Sequence, residues 1–384
     1  MADPHVVVLG HAADRTGPPM YLLELLRGLD RSGLRFTVVL LRGGELLGEL
    51  QDLAEVRVVG EPVDTAVARP QRRAEEPARV RARRAQLADL DDVDLAIVNT
   101  AWSIQALPWL PEPPRRLVSV VHELGAGVAG LLDRPALAAL LASDGFVAGC
   151  SAVAAMLEDD LGVAAHRIDL IPYGVAQRPV DLAPVDRTQL DAADDAFLVV
   201  AAAVPDRRKG PDLFVHLAAA ARRRRPDIAW AFRWIGAADD DPRLADALAD
   251  RALLGAGDAV RFVPPTPDLR NVLAAGDAFV LPSREDAFPL AAVEAALAGL
   301  PLLCFASGGI GDLVEPDGGA LVPYPDLDAM ADVLAVWHDV PATRSSAGAA
   351  ARDRARRNHD AADHARAFDA AVLRGLHRPP VPSG

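Results

Sequence analysis

Twelve short apolar runs, six in each half of the chain, constrain its fold more than any other feature. The first series is HVVVLG (5–10), RFTVVLL (35–41), LAIVNT (95–100), RLVSVVHE (116–123), GFVAGCS (145–151) and RIDLIPYG (167–174). The second is FLVVAAA (197–203), IAWAFRWIG (228–236), AVRFVPP (259–265), AFVLPS (278–283), PLLCFAS (301–307) and GALVPY (319–324). Runs this short and continuous suit strands buried on both faces, and stretches with apolar residues three and four apart lie between them. One of these, MYLLELLRGLDRSG, closes at Gly33. Strands alternating with helices predict a doubly wound parallel sheet in each half.

The two series are separated by VAQRPVDLAPVDRTQLDAADDA, polar and proline-bearing, which places a boundary near 175–195. A length of 384 residues also suits two cores better than one. The expected architecture is α/β, with two Rossmann-like domains facing a cleft, one over residues 1–180 and one over 181–358. A long helical pattern runs from Thr343 to about Leu376, with apolar Ala365, Phe368, Ala371 and Val372 and no strand after it. Residues 359–384 are expected to return to the first domain as a helix and to fray in RPPVPSG.

Composition narrows the function classes. A formal charge of −14 opposes nucleic-acid binding, which needs a basic surface. The two cysteines, Cys150 and Cys304, sit beside apolar residues and read as buried thiols of a reducing cytosol. Acids stand where a secretion signal would carry Lys or Arg, and no run approaches the ~20 apolar residues of a membrane span. Two arginine-rich runs, 68–92 and 218–227, read as solvated helix faces; contact with anionic lipid headgroups at the membrane periphery, or with an anionic acceptor, is the alternative.

Three loops carry the candidate chemistry. VPDRRKGPDLF follows a strand of the second series and opens a helix at about Pro211. Backbone N–H groups at a helix start favour phosphate, and Arg207, Arg208 and Lys209 add cations. REDAF follows AFVLPS, with a helix from Pro289 closed by Gly299. Asp286 thereby falls at the carboxyl edge of the sheet, where open α/β sheets bind ligands, and Glu294 about one turn into the helix, where it can accept two ribose hydroxyls. The turn SGGIGD brings Gly308 and Gly309 to the same edge. In the first half, Thr16 and Gly17 lie between the first strand and helix, where Pro18 and Pro19 remove two donors. His122, with Glu123 beside it, ends a strand at that edge.

These segments resemble a known family. SREDAFPLAAVEAALAGLPLLCFASGGIGDLV is similar to the acid, seven residues, Glu signature of retaining GT-B glycosyltransferases of family 4, and DRRKGPDLF to their phosphate loop. GHAADRTGPPMYLLELL, VVHELG and GCSAVAAMLEDDLGVAAHRIDLIPYGV resemble the corresponding first-domain segments, so the likeness covers nearly the whole chain. It implies transfer of a sugar from a nucleotide diphosphate donor, UDP or GDP, held mainly by the second domain, to an unidentified acceptor held mainly by the first. No cofactor and no metal ion are implied. Glu294 would bind the ribose and Asp286 the donor-sugar hydroxyls, with Phe288, Pro289, Leu290, Gly308 and Gly309 around them. Lys209 with Arg207 or Arg208 would neutralise the leaving diphosphate, and His122 would touch the sugar near the reacting carbon. Thr16, Gly17 and Glu123 would line the acceptor side. The first acid is Asp286 instead of the usual Glu, Pro289 stands where Gly is common, and the usual arginine before the lysine falls in AAAV. These read as subgroup traits. A GT-B sugar-nucleotide epimerase and a catalytically silent sugar-nucleotide scaffold are the alternatives.

Overall fold

The computed structural model describes residues 3–60, 77–177 and 183–377. All twelve apolar runs are strands, and a thirteenth joins them: β1 His5–Gly10, β2 Arg35–Leu40, β3 Glu55–Val58, β4 Leu95–Asn99, β5 Leu117–Val121, β6 Gly145–Ala148, β7 Ile168–Leu170, β8 Phe197–Ala202, β9 Trp230–Ile235, β10 Val260–Val263, β11 Ala278–Leu281, β12 Leu302–Phe305 and β13 Gly319–Val322. They form a seven-stranded sheet in the order β3-β2-β1-β4-β5-β6-β7 and a six-stranded sheet in the order β10-β9-β8-β11-β12-β13. Every neighbouring pair is parallel. In both sheets the strand order reverses beside the first strand, between β1 and β4 and between β8 and β11. Loops leaving the carboxyl ends of those strands diverge and leave a crevice, which is where doubly wound sheets take ligands.

The chain divides into two compact units, Met1–Ala176 with Ala361–Gly384, and Gln177–Asp360. The tail is two helices, Pro341–Asn358 and Ala361–His377, where the sequence reads as one. The break falls at His359, 2% exposed, whose ring lies 5.0 Å from that of Phe288 and anchors the turn. The second helix packs on the Gly17–Gly28 helix through buried Ala365 and Phe368. That first helix ends at Gly28 instead of Gly33, because Leu29 is already extended. Gly33 sits in the turn before β2 at φ +74°. The segment 178–182, the Val372 side chain and RPPVPSG lie outside the described residues.

The arginine runs make specific contacts. Arg223, Arg224 and Arg225, at the end of the Pro211–Arg224 helix, pair with Asp328, Asp332 and Asp339 of the Leu327–Asp339 helix at 3.1, 2.6 and 2.7 Å. Exposed pairs of this kind are screened by solvent and stabilise the fold little. In the Pro77–Gln86 helix, Arg83 lies 4.2 Å over the Trp109 ring and Arg84 donates to the Leu110 carbonyl. Residues 68–76 of that run lie outside the described residues. Cys150 and Cys304 are both buried and are not joined in a disulfide.

A buried arginine staples the second unit. Arg233 of β9 is 1% exposed, and its guanidinium donates to the carbonyls of Leu190, Asp191, Phe232 and Ala259. Burial pushes its pKa down to about 10. Arg233→Met should lower the stability of this unit by about 3 kcal/mol, since each orphaned buried acceptor costs about 1–3 kcal/mol. A urea midpoint within error of wild type would show that water replaces the guanidinium without cost.

Candidate active site

The two loops that flank the β8/β11 switch point are tied to each other. After β8, the Asp206 carboxylate accepts the Lys209 N–H at 2.9 Å, and the Asp206 carbonyl accepts those of Lys209 and Gly210. Gly210, at φ +75°, lets this loop pass the β11 loop closely: a Cβ there would lie 2.3 Å from the Pro282 carbonyl oxygen. The Arg284 N–H donates to the Arg208 carbonyl at 2.8 Å. Its guanidinium bonds both Asp212 oxygens, at 2.9 and 2.5 Å, and the Arg207 carbonyl at 2.7 Å. The Arg208 side chain donates to the Glu285 carbonyl at 3.4 Å and lies 3.5 Å from Asp206.

This framework brings Lys209 and Asp286 together. Lys209 Nζ lies 2.5 Å from Asp286 Oδ2, and Asp286 is only 3% exposed. Asp286 also forms a parallel bridge with Gly308, and Gly309 N–H donates to the Ala287 carbonyl at 2.9 Å, so the turn after β12 is fastened to the same loop. Phe288 is buried against His359, and Pro289 is the N-cap of the Leu290–Ala298 helix, which begins one residue later than the sequence suggests. Glu294, on that helix, is held by Arg270 from the Leu269–Ala274 helix, with Oε2 2.7 Å from Nε and 2.5 Å from Nη2. Arg270 and Arg284 are parts of the site that sequence reasoning missed, since nothing local marks an ion pair made across so many residues.

In the first unit, Pro18 and Pro19 occupy the first turn of the Gly17–Gly28 helix, where N–H groups have no helical acceptor and their loss is cheap. Thr16 Oγ1 donates to Asp14 at 2.5 Å, and a side chain at Gly17 would meet open space. Asp14 in turn accepts from Arg42 at 3.1 Å. At the end of β5, His122 Nδ1 lies 2.8 Å from Tyr173 Oη and Nε2 lies 3.2 Å from Asn99 Oδ1. Glu123, expected on the acceptor side, accepts the backbone N–H of Ala101 at 3.1 Å and of His122 at 3.0 Å, fixing the main chain on which the ring stands. Asn99 and Tyr173 were missed; the only trace is a polar residue closing each of two apolar runs. Among the described residues no His, Cys, Asp or Glu cluster has the grouping of a metal site, and no helix is long and apolar enough to cross a membrane.

Although part of its surface is exposed, the His122 ring is enclosed by Tyr21, Tyr173 and Asn99. Burial, and then the neighbouring His11 and His364, hold its pKa down to about 3. Burial also lowers those of His5, beside Arg35, and His11, which faces Asp14 and Arg42. A folded-state pKa below the unfolded value means that the unfolded chain takes up protons which the fold excludes. The stability due to neutral His122 is therefore full above about pH 6.5 and is lost as pH falls toward 3. Between about pH 7.5 and 5 wild type should lose about 2 kcal/mol more than His122→Gln in urea melts. Parallel losses in the two proteins would contradict the neutral assignment.

Comparison with known proteins bears on the fold and the family. The described fold aligns with Anabaena HepE in complex with UDP-glucose at TM-score 0.77, 17% identity, 96% of this chain and 99% of that one. It aligns with sucrose-phosphate synthase from Thermosynechococcus elongatus at 0.76, 22%, 97% and 98%. The two parallel sheets define the GT-B class. The model for Glycosyltransferase Family 4 matches residues 16–177, and that for Glycosyl transferases group 1 matches residues 195–338. The chain belongs to the GT-B glycosyltransferases of the family 4 type. Among relatives, it is 31% identical over 252 residues to D-inositol 3-phosphate glycosyltransferase of Pseudarthrobacter chlorophenolicus, covering 64% of this chain and 56% of that one. The Frankia alni protein of the same name is 34% identical over 252 residues, with 60% of each covered. The chain thus spans little more than half the length of these relatives.

Proposed function

We propose that this chain moves a sugar, with retention of configuration, from a nucleoside diphosphate sugar bound by its second unit to an acceptor bound by its first. The observation that carries the reading is the Lys209–Asp286 pair at the β8/β11 switch point, a cation beside a buried carboxylate at the place where doubly wound sheets take ligands. In this reading Lys209 swings to the diphosphate and Asp286 turns to the hydroxyls of the sugar, so substrate binding exchanges one ion pair for two better-directed contacts. Arg208 adds positive charge beside the leaving group, as does the helix that starts at Pro211. The bond from the anomeric carbon to the phosphate oxygen breaks while the acceptor oxygen attacks from the same face. The acceptor proton passes to that phosphate oxygen. The donor carries UDP or GDP, and a solved neighbour of the same fold was crystallised with UDP-glucose. The relatives named for inositol 3-phosphate suggest a polyol phosphate as the first acceptor to try.

The test is nucleoside diphosphate release from a panel of UDP- and GDP-sugars, with and without D-inositol 3-phosphate, followed by NMR of the product anomer. Acceptor-dependent release with the donor's anomeric configuration kept is expected. An inverted product would remove retention, and release of nucleotide with sugar epimerised but not transferred would favour an epimerase.

Glu294→Ala should weaken donor binding by about 1.5–3 kcal/mol if it accepts charge-assisted ribose bonds. Removing it also takes a carboxylate partner from Arg270, so Arg270→Gln serves as the control. Calorimetry showing equal donor affinity in wild type and Glu294→Ala would remove the ribose role.

A further inference from the structure

The proton order on His122 can be traced from one carbonyl. The Pro18 carbonyl oxygen can only accept, so its 3.1 Å contact identifies Asn99 Nδ2 as the donor there. The amide is thereby oriented, and Oδ1, which also only accepts, faces His122 Nε2 at 3.2 Å. Nε2 therefore carries the hydrogen, Nδ1 carries the lone pair, and Tyr173 O–H donates to it at 2.8 Å. The chain of bonds joins the ends of β4 and β5 to the start of the first helix and to the segment after β7.

Packing makes this arrangement rigid. Asn99 is 2% exposed and Tyr173 4%. The Tyr21 ring stands edge-on to His122 at 4.7 Å and to Tyr173 at 5.4 Å, with His364 from the C-terminal helix at 5.2 Å on another side. A Cβ at Gly149 would fall 2.1 Å from Tyr173 Cζ, so the absence of a side chain there is what admits the phenol ring.

We propose that Asn99 and Tyr173 are positioning residues for sugar transfer. Together they hold His122 as the neutral Nε2–H tautomer, so that it offers a hydrogen-bond donor to a hydroxyl oxygen of the sugar substrate and serves as neither acid nor base. The proposal rests on the reading of the chain as a sugar transferase. The bond to Asn99 is the longer of the two, so it is the one a sugar oxygen can share or replace while Tyr173 keeps Nδ1. Of the ionisable groups around the ring, His11 and His364 oppose a positive charge, Tyr21 is held neutral by burial, and the Glu123 carboxylate is engaged by main-chain N–H groups. Neutrality is thus built into the surroundings, and the tautomer into the two bonds.

The first measurement is long-range ¹H–¹⁵N NMR on the full chain with labelled histidine, with the His122 signals assigned by their loss in His122→Gln. A neutral Nε2–H ring from about pH 5 to 8 is expected, with the unprotonated Nδ1 resonance shifting in Tyr173→Phe as its hydrogen bond is lost while Asn99 keeps the Nε2–H. A wild-type Nδ1–H ring, or titration near the ordinary ~6.5, overturns the proposal. The second is nucleoside diphosphate release from the sugar nucleotide of the UDP and GDP panel that proves active, with its acceptor present. Tyr173→Phe, which keeps the ring and its packing, should lower kcat by about tenfold with UDP affinity within about twofold. Asn99→Asp, near-isosteric, should place a carboxylate at Nε2, raise the His122 pKa and add a new limb to the rate profile between about pH 5 and 8. A wild type inert toward every UDP- and GDP-sugar removes the transferase reading and the proposal with it. A working wild type whose Tyr173→Phe variant keeps full kcat, or whose Asn99→Asp profile parallels its own, removes the proposal alone.

Discussion

Lys209→Ala lowers sugar transfer by about two to three orders of magnitude, and turnover falls further than donor affinity. The leaving diphosphate gains charge as the bond to the anomeric carbon breaks, so a cation placed there interacts more strongly with the transition state than with the bound donor. The structure adds a complication that the sequence hides. Asp286 is 3% exposed and has Lys209 Nζ at 2.5 Å, so truncating the lysine leaves a buried carboxylate without its cation. Breaking a buried pair from one side costs about 3–5 kcal/mol, and the single variant loses stability for that reason alone. Lys209→Ala combined with Asp286→Asn separates the two effects. The double variant should recover most of the melting temperature and none of the turnover. Recovered turnover, or equal losses of donor affinity and rate in the single variant, would make Lys209 an anchor for the fold or the donor and nothing more.

His122→Ala comes next in size. Transfer should fall by roughly two orders of magnitude, because a misplaced reacting carbon loses much of the advantage of orientation. UDP or GDP affinity should stay within about twofold, since Lys209, Asp286 and Glu294 all belong to the other unit. The ring's removal also leaves Tyr173 O–H and Asn99 Oδ1 without their described partner, at a cost of about 1–3 kcal/mol. Rates must therefore be compared per folded molecule. A destabilised variant with an undiminished rate per folded molecule would reduce His122 to a support for the sheet.

Most of the architecture is written in short-range pattern. Strands such as β1 and β8, buried at every position, need uninterrupted apolar runs, and those are visible without any knowledge of their neighbours. The strand that escaped, β3, reads EVRV and lies at the sheet edge with none of its residues buried, so it needs no apolar signature. The helix break at His359 escaped because it depends on a ring that arrives from Phe288, far away in the chain. The candidate site divides in the same way. Lys209, Asp286 and the glycines stand in loops whose place at a sheet edge follows from strand order alone. Their pairings do not, since Lys209 meets Asp286 across 77 positions and Glu294 meets Arg270 across 24. The Asn99–His122–Tyr173 chain is less visible still. Its members end three different strand segments, and only the β1-β4-β5-β6-β7 order brings those ends together.

Thermal melting of the full chain against a panel of nucleoside diphosphate sugars tests the central claim most directly. A donor at a hundred times its Kd adds about 2.7 kcal/mol to the stability of the folded state, which raises the melting temperature by several degrees. At least one UDP- or GDP-sugar should produce that shift, the parent nucleoside diphosphate should produce much of it, and Glu294→Ala should remove most of it. A melting temperature unmoved by every sugar nucleotide and by both UDP and GDP at millimolar concentration would contradict the assignment of a donor site to Lys209, Asp286 and Glu294.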